Sequence, residues 1–367
     1  MTPNKLLAWM LSVLSAFALW NPQAQPNRIP ETRTAPAVPA DDGVFPTKEF
    51  AEGNPPLWFA PGLLKTALSL KGMMIGGSRT DGLLVLRQGK LIYEQYWNGY
   101  DQNKPHEMQS CTKSVISALV GIAIAEGKIK GVDQKVIEFF PEAEALLAKG
   151  QENKRDMTIE HLLTMTSGLP GDGKPLEFAP GIDELALRKT DCGLLIFLAK
   201  QTNPPGKKFS YSSNGVNLLA VLLAKATGKP LLDYAKEKLF DPLGITSAEW
   251  EQMPDGNYAG GGGLQLTPRD MARFGYLYLN YGRWEGRQII PADWVAQTPP
   301  KSKSFKAYGR LFWNYSLEPF CGFYEANGAY GQYIVIEPSR GLVIVRTGCT
   351  GTVDQFFMNV GKTLGIG

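Results

Sequence analysis

The chain is 367 residues long and 44% hydrophobic, enough to bury a sizeable core in one large domain or two intimately packed parts. Its net charge is only +3 and no basic run is interleaved with aromatics, which argues against nucleic acid as a partner. Cys111, Cys192, Cys321 and Cys349 lack the spacing of a metal site, and neither a metal nor an organic cofactor is expected.

Met1-Thr2-Pro3-Asn4-Lys5 is a short basic start, followed by an apolar stretch from Leu6 to Trp20. That stretch is short of the about twenty residues a membrane span needs and suits the core of a signal peptide. Ala16-Phe17-Ala18 offers a cleavage site, with Ala24 as an alternative. Residues 1–24 are therefore expected to be a signal peptide, and the product to be exported to the periplasm or beyond. An uncleaved membrane anchor is the alternative. Residues 25–47, polar and Pro-rich, read as a flexible lead-in, and 48–367 as the folded domain.

Leu83–Arg87 and Lys90–Trp97 read as two strands joined at Gln88-Gly89. Ser110-Cys111-Thr112-Lys113 comes next, ahead of a long apolar helix ending at Gly127. A serine at a helix start meets free N–H groups and the positive end of the macrodipole, which favour developing negative charge. Lys113, three residues on, shares its helix face and is within reach of the Ser110 hydroxyl. Burial lowers a lysine's pKa and turns its amine into a base. Taken alone, the motif reads equally as an N-capping serine with an exposed lysine. His106 precedes Ser110 by one turn and could reach the same cleft, whereas His161 falls in a later helix. Cys111 reads as a small core residue and not as a reactive thiol. Export would permit disulfides, but the sequence does not say which cysteines pair.

A mostly helical stretch runs from Ser110 to about Thr298. Within it Phe209-Ser210-Tyr211-Ser212-Ser213-Asn214-Gly215 follows the Pro204-Pro205-Gly206 turn and precedes an apolar helix. Tyr211 could offer a phenol to a site there, and Ser213 or Asn214 could offer hydrogen bonds. The Gly260–Gly263 run lacks the Gly-Lys-Ser/Thr of a phosphate loop and reads as a turn or a cleft wall. Thr267-Pro268-Arg269-Asp270 predicts a helix start, with Thr267 as cap and Pro268 at the first position. Near the C-terminus, Ala326-Asn327-Gly328-Ala329-Tyr330-Gly331 leads into Tyr333–Pro338. That strand pairs with Gly341–Arg346 around Ser339-Arg340. The glycines suggest either backbone approached closely by another group or a bulged strand start. Strands at both ends with helices between them imply a sheet closed by distant pairing.

Ser110-x-x-Lys113, the Tyr211 segment and the glycine-rich strand start together resemble the serine β-lactamase and penicillin-recognising hydrolase superfamily. The likeness is strongest to its class C-like and esterase branch, with carboxylesterases and 6-aminohexanoate-dimer hydrolases. Scaffold phrases of that family appear in order at Met157–Leu169, Leu239–Thr246, Gly261–Leu264 and Thr267–Gly275. The resemblance runs from about Asp81 to about Met358. It implies an α/β (α+β) fold, in which an antiparallel sheet flanked by helices packs on a mostly helical domain with the site in the groove between. It also implies acyl transfer by Ser110, with Lys113 and Tyr211 sharing the base work. The backbone N–H groups of Ser110 and Ala329 would form the oxyanion hole. Ser213, Asn214, Asn327 and Gly328 would face a small ester, amide or peptide-like substrate.

Two departures narrow the expectation. The family's Tyr-x-Asn reads Tyr211-Ser212-Ser213 here, with Asn214 one place late. Its third motif starts with Lys or His, whereas Ala326-Asn327-Gly328 carries no cation to face a β-lactam carboxylate. The esterase or amide-hydrolase branch is therefore expected, with a β-lactamase or D-alanyl-D-alanine carboxypeptidase as alternative. A non-catalytic cell-wall binder has no chemical need for Ser110, Lys113 and Tyr211 together.

Overall fold

Gln88 and Gly89 both take positive φ, 49° and 76°, which is the backbone a two-residue hairpin turn demands. The computed structural model describes residues 51–52, 80–147, 149–299, 308–315 and 323–349. The expected signal peptide and lead-in, Cys321 and Met358 lie outside the described residues.

The chain begins with β1 (Ala51–Glu52), β2 (Thr80–Arg87), β3 (Lys90–Tyr96) and β4 (His106–Glu107). A 3-10 turn at Gln109–Cys111 then leads into α1 (Thr112–Ala125). The helical region continues through α2 (Ile159–Leu163), α3 (Glu184–Thr190), α4 (Cys192–Leu198), α5 (Ser213–Thr227) and α6 (Leu231–Ala235). β5 (Glu249–Trp250) and β6 (Leu264–Leu266) precede α7 (Pro268–Leu279), and β7 (Arg283–Trp284), β8 (Arg287–Gln288) and α8 (Ala292–Ala296) follow it. The last strands are β9 (Tyr308–Gly309), β10 (Phe312–Tyr315), β11 (Phe323–Gly328), β12 (Gln332–Glu337) and β13 (Leu342–Gly348).

Among the described residues, one eight-stranded sheet runs in the order β1-β3-β2-β13-β12-β11-β10-β9. Its pairs are antiparallel except β1 with β3, a two-residue parallel contact at one edge. The first hairpin thus pairs with the last strand, Leu84 opposite Val345, as strands at both chain ends require. Every residue of β12 and β13 is buried, so these strands carry apolar groups on both faces. On one face α7 packs closely, because Gly275 has no side chain to hold Val343 and Ile334 away. Thr267 caps α7 by accepting from Asp270 N–H at 3.1 Å, and Arg269 pins it to β3 through a bidentate pair with Glu94.

The helical region has its own core. α1 is apolar on nearly all sides and buried from Thr112 to Ala123, the expected state of a helix without a polar face. It packs against α5, which α4 covers in turn. Lys154, only 1% exposed, closes the C-terminal end of α4 by donating to the carbonyls of Phe197 and Ala199 at 2.9 and 2.5 Å. A small sheet, β4-β6-β5, joins the two regions just before Ser110. Cys111, Cys192 and Cys349 are free thiols.

Candidate active site

The turn that carries Ser110 is held by contacts to β6 and β12. Met108 N–H donates to Leu264 O of β6 at 2.8 Å, and Gln109 takes a positive φ of 50°, a strained setting for a residue with a side chain. Cys111 is fully buried and its thiol donates to Gln332 O of β12 at 3.4 Å. Burial pushes that thiol's pKa well up, so Cys111 is the inert core residue its sequence setting suggests.

From this turn Lys113 reaches back as expected. Its Nζ lies 2.8 Å from Ser110 Oγ and donates to Gly261 O at 2.6 Å. The side chain is 1% exposed, and no ion pair to it occurs among the described residues. Desolvation lowers its pKa from 10.5 to about 8, against a smaller upward pull from the charge of Asp172. An amine with such a pKa is neutral often enough near physiological pH to accept a proton. The Gly260–Gly263 run is accordingly a cleft wall. Its position is fixed by Asn217, whose Oδ1 accepts from Gly261 N–H at 2.8 Å.

Tyr211 sits at the start of α5, with its ring centroid 5.0 Å from Lys113 Nζ. The ring stacks on Trp313 of β10 at 5.7 Å and meets the edge of Tyr308 of β9 at 5.9 Å. Burial raises the phenol's pKa to about 12, opposed by a hydrogen bond with Ser110. It therefore stays protonated over the working range of most enzymes. Ser212, not Ser213 or Asn214, caps α5 by accepting from Gly215 N–H at 3.3 Å, and it donates to Pro170 O at 2.8 Å.

The structure brings Ser110, Lys113 and Tyr211 into one cluster. Gly328 borders it, because a Cβ there would lie 2.4 Å from Met108 O, so the end of β11 and the adjoining Ala329 abut the Ser110 turn. The glycines of this segment thus answer to close approach. Gly331, at φ 88°, leaves its space to the guanidinium of Arg346, which donates to Gly331 O at 2.7 Å. Other expected site groups have partners within the protein. The Ser213 hydroxyl donates to Asp172 Oδ2 at 2.7 Å, and the Asn327 amide donates to Glu325 Oε1 at 2.9 Å. Asn214 lies on the first turn of α5, half-buried.

His106 does not reach the cleft. It lies on a strand, and its ring is held 3.2 Å from Asp81 Oδ2 through Nε2 and 3.2 Å from Glu107 O through Nδ1. Thr158 caps α2 by accepting from His161 N–H, and His161 Nδ1 accepts in return from Thr158 N–H. Sequence reading misses Asp172, Asn217 and the Trp313–Tyr308 wall. Asn217, an amide set into the apolar run of α5, carries a signal that could have marked it.

Residues 70–347 match the family model described as Beta-lactamase. The chain is 22% identical to the 6-aminohexanoate-dimer hydrolase of Paenarthrobacter ureafaciens, over 73% of this chain and 72% of that one. It is 25% identical to penicillin-binding protein 4 of Amycolatopsis lactamdurans, over 70% of this chain and 74% of that one. Among solved structures it resembles EstCE1, a hydrolase with promiscuous acyltransferase activity. The TM-score is 0.67 at 17% identity, covering 83% of this chain and 98% of the other.

Proposed function

The chain belongs to the β-lactamase family, and we propose that it is a serine hydrolase that cleaves ester or amide bonds through an acyl-enzyme on Ser110. The observation that carries this reading is the 2.8 Å contact between Ser110 Oγ and the buried Lys113 Nζ.

In this mechanism Ser110 Oγ attacks the substrate carbonyl and its proton passes to the neutral amine of Lys113. The Gly261 carbonyl holds one Lys113 N–H, which leaves the nitrogen lone pair for Ser110. The backbone N–H groups of Ser110 and Ala329 stabilise the tetrahedral oxyanion. Tyr211, kept protonated by burial, relays the proton from Lys113 to the leaving group. The tetrahedral intermediate then expels that group and leaves the acyl ester on Ser110. A water attacks this ester, gives its proton back through the same relay, and frees Ser110. The base work thus falls on Lys113 and the shuttle on Tyr211.

The substrate class is a neutral ester or amide. Ala326 is 1% exposed and apolar where a β-lactam carboxylate needs a cation, which supports esters over β-lactams. Export to the periplasm or beyond is part of the proposal, supported by the basic start and the short apolar stretch at Leu6–Trp20. A fluorophosphonate probe tests the central claim: it should label Ser110, and Ser110→Ala should lose both the label and the turnover of p-nitrophenyl butyrate. Labelling at another residue, or a Ser110→Ala enzyme as active as the wild type, would refute it.

A further inference from the structure

Asp172 lies in the loop after α2, and both of its carboxylate oxygens are tied to one residue beside the site. Oδ1 accepts from Ser213 N–H and Oδ2 from Ser213 Oγ–H, each at 2.7 Å. Its own N–H donates to Tyr211 O at 2.8 Å. The approach is close because Gly171 precedes it: a Cβ there would lie 2.8 Å from Ser210 Oγ and 3.1 Å from Tyr211 O. Asp172 is thus fastened at both ends to the segment that carries Tyr211. Ser213 stands where the family motif has an asparagine. A neutral amide in that place is replaced by a hydroxyl and a carboxylate, which brings a negative charge to the site.

The groups that bear on Lys113 come from several elements. Ser110 and Cys111 lie on its own turn, Gly261 offers a carbonyl and Tyr211 precedes α5, its ring backed in turn by Tyr308 of β9. Glu325 of β11 acts on the Cys111 thiol and is bonded by Asn327. Asp172 is the carboxylate whose charge bears on Lys113, Tyr211 and Tyr308 alike.

We propose that Asp172, clamped by Ser213, is a positioning residue whose charge stabilises the Lys113 ammonium formed when Ser110 gives up its proton, and so sets the pH range of acylation. This rests on the reading of Ser110 and Lys113 given above. The physics is that of a nucleophile, a base and a third group that steadies the base in its protonated form. A carboxylate near an amine makes it a stronger base, but the amine is then free of its proton only at higher pH. The charge therefore raises the rate of the competent form and narrows the range over which that form exists.

Asp172→Asn is nearly isosteric and sits at an exposed position. It removes the charge, keeps one acceptor oxygen for Ser213 N–H and turns the other into an amide donor, towards which the Ser213 hydroxyl must reverse its bond. The experiment is kcat and kcat/KM for p-nitrophenyl butyrate across pH about 6 to 10, in wild type, Asp172→Asn, Ser213→Ala and Lys113→Met. In Asp172→Asn the acid limb should move to lower pH by roughly half a unit to one unit. Its alkaline plateau should fall about two- to threefold, with KM little changed. Ser213→Ala, which removes the hydroxyl half of the clamp and keeps the backbone N–H bond, should move the limb in the same direction by less. A lowered plateau with an unmoved limb means a structural role alone and overturns the proposal, as does a limb moved to higher pH. If that happens while Lys113→Met is inactive, only the proposal fails. A Lys113→Met enzyme with the wild-type plateau removes the base reading and the proposal together.

Discussion

Gly328 touches the carbonyl of Met108, two residues before the nucleophile, so closely that a Cβ on it would lie 2.4 Å from that oxygen. The strand end that presents Ala329 is therefore positioned directly by the turn that presents Ser110. Gly328→Ala must push the two apart by several tenths of an ångström. If Ala329 N–H serves the oxyanion as proposed, displacement on that scale weakens its hydrogen bond and should lower kcat by about ten- to a hundredfold with a smaller change in KM. Kinetics on a folded variant check this, and a kcat within twofold of wild type would show that the spacing is not critical.

Lys113→Met keeps most of the side-chain volume and removes the proton-accepting nitrogen. Acylation should drop by about a hundredfold or more. In the wild type the rate should rise with pH as the ammonium, with its pKa depressed by burial to about 8, loses its proton. Tyr211→Phe should slow acylation and deacylation together, because the proposed relay uses the same phenol in both. His106→Ala should leave the pH profile in place, since His106 faces Asp81 and not Ser110. Stopped-flow acylation rates separate these cases, and a profile governed by His106 would return the site to a histidine base.

Ester turnover should exceed β-lactam turnover by a wide margin. Loss of a charge-assisted contact to the β-lactam carboxylate costs about 1.5–3 kcal/mol, on the order of ten- to a hundredfold. The better leaving group of an activated ester widens the gap. Comparable kcat/KM on nitrocefin and p-nitrophenyl butyrate would contradict the absence of a cation at Ala326.

Stability should also depend on pH, through two buried lysines. Burial lowers the Lys154 amine to a pKa of about 7 and Lys113 to about 8, both from 10.5. Between these values and 10.5 the unfolded chain binds more protons than the folded one, so stability rises with pH across that window. Each group contributes at most about 1.4 kcal/mol per pH unit. The melting temperature should therefore be higher at pH about 9 than at pH about 7, and Lys154→Met should flatten the rise. A melting temperature that falls over the same interval would contradict the depressed amines.

The mature protein isolated from its native host should begin after Ala18 or Ala24. N-terminal sequencing decides this, and a chain starting at Met1 or Thr2 would favour a retained anchor.

What could be read in advance was what is local in the chain. The Gln88-Gly89 hairpin, the Thr267 cap and the reach of Lys113 to Ser110 all follow from neighbours within four residues. His106 shows the limit of that logic. Four residues before Ser110 suggests one face of a helix, but His106 lies on β4, where that spacing carries no such meaning and the ring turns to Asp81. The strands β4, β5 and β6 are two or three residues long, too short to show any period. Asp172 was hidden for another reason. It stands in an ordinary Gly-Asp-Gly turn and finds its partner Ser213 forty-one residues later. No spacing rule links residues brought together only by the packing of α2 and α5.

The pairing of β2 with β13 has a consequence for how the chain is made. Leu84 and Val345 are opposite one another in the sheet yet about 260 residues apart in sequence. During synthesis the first hairpin leaves the ribosome with a long open edge and waits for its neighbour until almost the whole protein has been translated. At about 5–20 residues per second that wait lasts tens of seconds. The helical region, whose contacts are nearer in sequence, can form in the meantime, while the hairpin stays open to chaperones and to mispairing. A truncation that removes β13 should for that reason strand the nascent chain with an unpaired apolar edge and send it to aggregation, even though it retains Ser110, Lys113 and Tyr211.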